Sequence, residues 1–126
     1  MPAVSVDISP TYLIPDILVT SRAPLLDDVN LVPAREVLLA VEIVSPSSRT
    51  MDRVTKPAKY AEAGIQSYWR VEMSPAVSLN AYELRGDSYV DVGTWGPGET
   101  AFLERPFPIT IPIDAITPPP ATQADG

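Results

Sequence analysis

One acid inside an apolar run limits what this chain can fold into more than any other feature of the sequence. Leu38, Leu39, Ala40, Val41, Ile43 and Val44 form the near-continuous apolar stretch expected of a strand buried on both faces, and Glu42 interrupts it. A carboxylate in such a place carries a desolvation cost of several kcal/mol unless it is protonated, paired or bound to a metal. Glu42 is therefore a candidate site residue. The same letters also fit an edge strand in which Val41 and Ile43 face the core and Glu42 faces water. Its companion argues for the site. Asp16 interrupts a second run of the same kind, Tyr12-Leu13-Ile14-Pro15-Asp16-Ile17-Leu18-Val19, and two converging carboxylates in a dry sheet suit a hard cation.

Composition narrows the chemistry. The chain has 126 residues, of which 45% are hydrophobic, which suits one small globular domain over 1–116. The remaining 117–126, TPPPATQADG, has little to bury and reads as a disordered Pro-rich tail. Fifteen prolines against six glycines, gathered where segments end, favour short strands joined by turns. The sequence contains no cysteine and no histidine. Disulfides, thiolate zinc sites, Cys or His nucleophilic dyads and a His general base are excluded. Catalysis must run on carboxylate, lysine, tyrosine, serine or a bound metal. Nine basic residues against sixteen acidic ones give a net charge of -7, with no overall basic footprint for nucleic acid, although a local patch can still be positive. No apolar stretch reaches the about eighteen residues of a membrane span, and MPAVSVDISP lacks the features of a secretory signal. The expected compartment is the cytoplasm, with no membrane partner.

In chain order, the lead to Pro10 has no assigned structure, Tyr12 to Val19 reads as a strand, and SRAPLLDDVNLVPAREV reads as a loop. Val37 to Val44 is the central strand. SPSSRT then closes a turn, with Ser45 as a turn or cap residue. Asp52 to Ala63 is expected to be helical with Gly64 as its C-terminal cap. Pro57 costs roughly 3 kcal/mol in a helix interior but is tolerated in the first turn. Either Thr55 caps a helix that starts at Lys56, or a longer helix bends there. Asp52, Lys56 and Tyr60 follow i, i+4, i+8 spacing along one helix side, and a cap at Thr55 removes Asp52 from that row. Gln66 to Val71 is a strand, and Val77 to Leu84 pairs through Arg85-Gly86-Asp87-Ser88 with Tyr89 to Val92 as a hairpin. GTWGPGET reads as a turn, followed by short strands at Ala101 to Leu103 and Ile109 to Ile113. The fold class is mixed α/β: a mixed central sheet with a flanking helix, plus C-terminal antiparallel strands.

At this point the residues resemble a family. Pro15-Asp16, then Val41-Glu42-Ile43-Val44-Ser45-Pro46-Ser47, then Asp52, Lys56 and Tyr60, then Gly64-Ile65 and Tyr68-Trp69-Arg70-Val71 resemble the Uma-two endonucleases, part of the PD-(D/E)XK nuclease superfamily, from about Tyr12 to Ile116. The resemblance implies a restriction-endonuclease-like core that hydrolyses DNA with Mg2+ or Mn2+. Asp16 matches the Asp of the Pro-Asp motif and Glu42 the acid of the second motif, both as metal ligands, with the Ile43 carbonyl completing the set. The superfamily lysine two residues after that acid is replaced here by Val44. Lys56, from the following helix, matches the residue that takes over, orienting or deprotonating water and stabilising phosphate charge. A lysine beside a metal has its ammonium form disfavoured, and Asp52 offsets this by pairing with Lys56. Family members carry an additional N-terminal helix and hairpin. Almost nothing precedes the Pro-Asp strand here, which implies an N-terminally truncated core, exposed sheet, and either a homodimer or a product that no longer cuts.

Plainer readings stand beside these. Asp52 and Lys56 also fit a solvated surface pair, Tyr60 a core-edge aromatic, and Tyr68 and Trp69 packing. The function readings are a magnesium-dependent endonuclease acting through Asp16, Glu42 and Lys56; a catalytically inactive nuclease fold that binds a partner or nucleic acid; and an interaction domain whose acids lie on its surface.

Overall fold

The computed structural model describes residues 5–8, 11–20, 31–44 and 54–119. Ser45, Asp52 and most of the 117–126 tail lie outside the described residues. The central element is β5, Val37–Val44, and its burial is the two-sided kind that the apolar run requires. It lies second in a five-stranded sheet. β3, Ile17–Thr20, flanks it antiparallel on the edge side. On its other side β6, Ser67–Glu72, runs parallel to it, and β7, Ser78–Arg85, and β8, Ser88–Trp95, continue the sheet antiparallel. A parallel neighbour needs a crossover. The crossover contains α1, Lys56–Glu62, which starts at Lys56 with Pro57 in its first turn. It ends before Gly64, whose φ of 86° suits the left-handed position past a helix end. Thr55 precedes the helix but makes no side-chain capping bond.

Two layers cover this sheet. Ala40 and Tyr68 on one face pack with Tyr60 and Ile65, and with Val6 and Val32 of a separate three-stranded sheet. That sheet contains β1, Ser5–Ile8, between β2, Thr11–Leu13, and β4, Leu31–Pro33. On the opposite face, Leu39, Val41, Trp69 and Leu79 pack with Ala101, Leu103 and Ile113. These come from β9, Thr100–Leu103, which pairs with β10, Ile109–Pro112, and from the turn of 3-10 helix after it. No helix among the described residues is long and apolar enough to cross a membrane.

Several sequence expectations need correction. Tyr12 to Val19 is not one strand: it divides at Ile14-Pro15-Asp16, and its halves join different sheets. Pro15 has no N–H to give a ladder and fixes its own φ, so the chain turns where the letters look uniformly apolar. The lead contains β1, and the stretch read as one loop contains β4, because β1 and β4 are parallel partners whose pairing no local pattern records. Gly93, Thr94 and Trp95 extend β8 instead of forming a turn. On the sheet face opposite α1, this chain's own β9 and β10 lie over part of the sheet. The hairpin, by contrast, follows its sequence closely: Arg85 pairs with Ser88 across Gly86-Asp87, and Gly86 takes φ 67°.

Candidate active site

Glu42 does not face water: it is 1% exposed. It stands on the helix-side face of β5, near the carboxyl end of a parallel strand pair and just before the crossover, where open α/β sheets place their ligands. Lys56 and Tyr60, one helical turn apart, point the same way because their spacing is i, i+4. Each takes one oxygen of the carboxylate. Lys56 Nζ donates to Oε1 at 3.1 Å and Tyr60 Oη donates to Oε2 at 2.6 Å. The helix start at Lys56 is what aligns both with the strand.

Asp16 arrives from the edge side. Its bend comes one residue before Ile17, which pairs with Val41, so Asp16 stands next to Glu42 in the continuation of that ladder. It does not continue the backbone pairing. The Ile43 N–H donates to Asp16 Oδ2 at 2.6 Å instead, a charge-assisted bond that fixes the carboxylate against β5. The buried Pro15 holds the bend.

Burial pushes the Glu42 carboxyl above its ordinary range; the Tyr60 and Lys56 hydrogen bonds and the Lys56 charge oppose that rise, and the Asp16 charge adds to it. Burial, and then the bond and charge of Glu42, raise the Tyr60 phenol well above its usual value. Because the protonated phenol donates to the carboxylate, each group supports the other in its present state.

The structure thus brings Asp16, Glu42, Ile43, Lys56 and Tyr60 together. Lys56 meets Glu42; the expected Asp52 partner and Ser45 fall outside the described residues. The sequence places Arg70 within the Tyr68-Trp69-Arg70-Val71 segment but gives it no role. Arg70 is the register partner of Glu42 on β6, opposite Asn80 on β7, which in turn stands opposite Thr94 on β8, so a polar row crosses four strands. Asn80 Nδ2 donates to Thr94 Oγ1 at 2.6 Å within it. The alternation Tyr68, Arg70, Glu72 was readable, but its face becomes known only once β6 is registered on β5.

Two hard carboxylates and a backbone carbonyl are a donor set that fits magnesium, which takes one or two carboxylates and keeps several waters. Among the described residues no group of three or more acidic, His or Cys side chains that could hold a metal ion is present. The search of curated proteins finds no match. A family model, Uma2, with the description "Putative restriction endonuclease", matches residues 3–115.

Proposed function

The chain belongs to the Uma2 family of restriction-endonuclease-like proteins, and on that footing we propose that it is a metal-dependent endonuclease that hydrolyses DNA phosphodiester bonds. The observation that carries this reading is the convergence of Lys56 and Tyr60 on one buried carboxylate, Glu42, beside the anchored Asp16. An apolar residue would fit this strand position without the cost of burying a carboxylate.

Asp16, Glu42 and the Ile43 carbonyl would hold the cation, magnesium or manganese. Bound there, it would supply an acidified water and charge compensation for the phosphoryl oxygens. The protein's own groups do the rest. Lys56, whose side chain is 19% exposed, would serve both Glu42 and an entering phosphate, neutralising charge and orienting water. Tyr60 keeps Glu42 in a single rotamer with its hydrogen bond. Asp16 accepts from the Ile43 N–H through one oxygen and would offer the other to the cation. The scaffold places these groups in advance, which is where phosphoryl-transfer enzymes gain most of their rate.

The test is nicking of supercoiled plasmid with magnesium or manganese, run beside Lys56→Ala and Glu42→Ala. Metal-dependent nicking lost in both variants is the expected result. A second reading, a nuclease fold that binds without cutting, is favoured by one feature: both Glu42 oxygens already have donors within the chain. DNA binding with no nicking under either metal would establish it.

A further inference from the structure

Beside the Glu42 site, on the same sheet face, lies a cleft of about 250 Å³ lined by Pro57, Tyr68, Arg70, Tyr82 and Tyr89. Pro57 follows Lys56 in α1, and Arg70 stands one strand away from Glu42 in register, a spacing of about 4.8 Å. The guanidinium is held from two sides. Nε donates to Glu72 Oε2 at 3.2 Å, Nη2 donates to the Tyr82 hydroxyl at 2.7 Å, and Cζ sits 5.3 Å from the Tyr82 ring centre. Among the described residues these bonds leave Nη1 for a ligand. Behind it, Tyr68 is stacked on Tyr89 at 5.5 Å and 24° and tilted against Tyr82 at 5.7 Å. Tyr68 is buried, while Tyr82 and Tyr89 are half-buried.

We propose that this cleft takes one unstacked nucleotide beside the scissile phosphate, its base against Tyr82 and Tyr89 and its phosphate on Arg70, so that the substrate is single-stranded or locally opened DNA. The inference rests on the nuclease reading. The cleft is smaller than the about 300 Å³ at which ordinary ligand pockets begin. Its size suits one ring and its phosphate better than a base pair. Flat aromatic faces beside an arginine plane are a stacking surface that tolerates any base, and the planar fork suits a phosphate better than a lysine would. With a net charge of -7 the protein has little diffuse attraction for a duplex backbone. Its hold on DNA must come from local contacts of this kind. Glu72 offsets part of the Arg70 charge while keeping the fork in place.

The test compares binding of a fluorescent oligothymidylate and of a duplex of equal length, in EDTA, with cleavage in magnesium measured separately. The expected result is tighter binding of the single strand, weakened about tenfold or more by Arg70→Gln and by Tyr82→Leu, with duplex binding little changed and thermal midpoints retained. On the unaltered protein, a 5-iodouracil oligonucleotide should photocrosslink to Tyr82 or Tyr89, which answers the question even if a variant fails to fold. Equal binding of single strand and duplex, or crosslinks only elsewhere, would overturn the subsite. Single-strand binding with these crosslinks but no cleavage would uphold the subsite and remove the nuclease reading instead.

Discussion

Tyr60 donates its phenol proton to Glu42 Oε2 at 2.6 Å from a ring with no exposed surface. A helix and a strand are thereby joined by a polar bond inside an apolar layer of Ala40, Ile65 and Tyr68. The bond sets how close α1 lies to β5, and so where Lys56 stands. Tyr60→Phe keeps the ring packing and leaves one buried oxygen without its donor. A loss of about 1–3 kcal/mol is expected, seen as a lower urea midpoint with an unchanged slope.

Glu42→Gln should behave differently in folding and in function. Burial already favours the uncharged form of this side chain, and an amide of the same shape removes the desolvation cost while keeping an acceptor for Tyr60. The amide NH2 then faces Lys56 Nζ and cannot accept from it, so stability in EDTA is expected to fall by about 1–3 kcal/mol. The stabilisation that magnesium gives the unaltered protein should vanish, as read by melting with and without the ion.

Asp16 separates anchoring from charge. Asp16→Asn retains an oxygen for the Ile43 N–H and should melt close to the original, yet bind manganese at least about tenfold more weakly by calorimetry. Asp16→Ala should lose the ion and the anchor together. Equal manganese affinity in Asp16→Asn would exclude this carboxylate as a ligand.

Alkali should unfold the protein through its tyrosines. Burial holds the Tyr60 and Tyr89 phenols protonated beyond the usual range, whereas the unfolded chain releases those protons near pH 10 by ordinary phenol chemistry, about the value of the free side chain. The folded state then binds more protons than the unfolded one. Stability is complete below that pH and falls as pH rises past it. Ultraviolet absorbance should show part of the tyrosinate signal appearing only with the loss of structure seen by circular dichroism.

Gly93 has a narrower role. A Cβ there would run into the Trp95 ring, where β8 shifts register against β7. Gly93→Ala should cost about 1–3 kcal/mol by displacing Trp95, measured by thermal unfolding, with little change in metal affinity.

What the sequence disclosed follows from how local each cause is. β5 was legible because its apolar run is uninterrupted on both sides of Glu42, the start of α1 because Pro57 tolerates only a first turn, and the hairpin because Gly86-Asp87 demands its turn. The Tyr12–Val19 run misled because apolar letters do not say which of two sheets will bury them. β1 and β4 were hidden because each is short and stabilised by a parallel partner distant in the chain. At the site, Asp16, Glu42, Lys56 and Tyr60 stand out as acids in apolar runs or as helix neighbours. Arg70 does not, since a charged residue in a strand has meaning only against its registered neighbour.

The pairing of Glu42 with Arg70 across two parallel strands also constrains assembly of the sheet. If β6 docked one residue out of step, Arg70 would turn toward Leu39 and Val41, and an unpaired guanidinium would enter an apolar layer. Misdocked chains are thus selected against by the same side chain that lines the cleft.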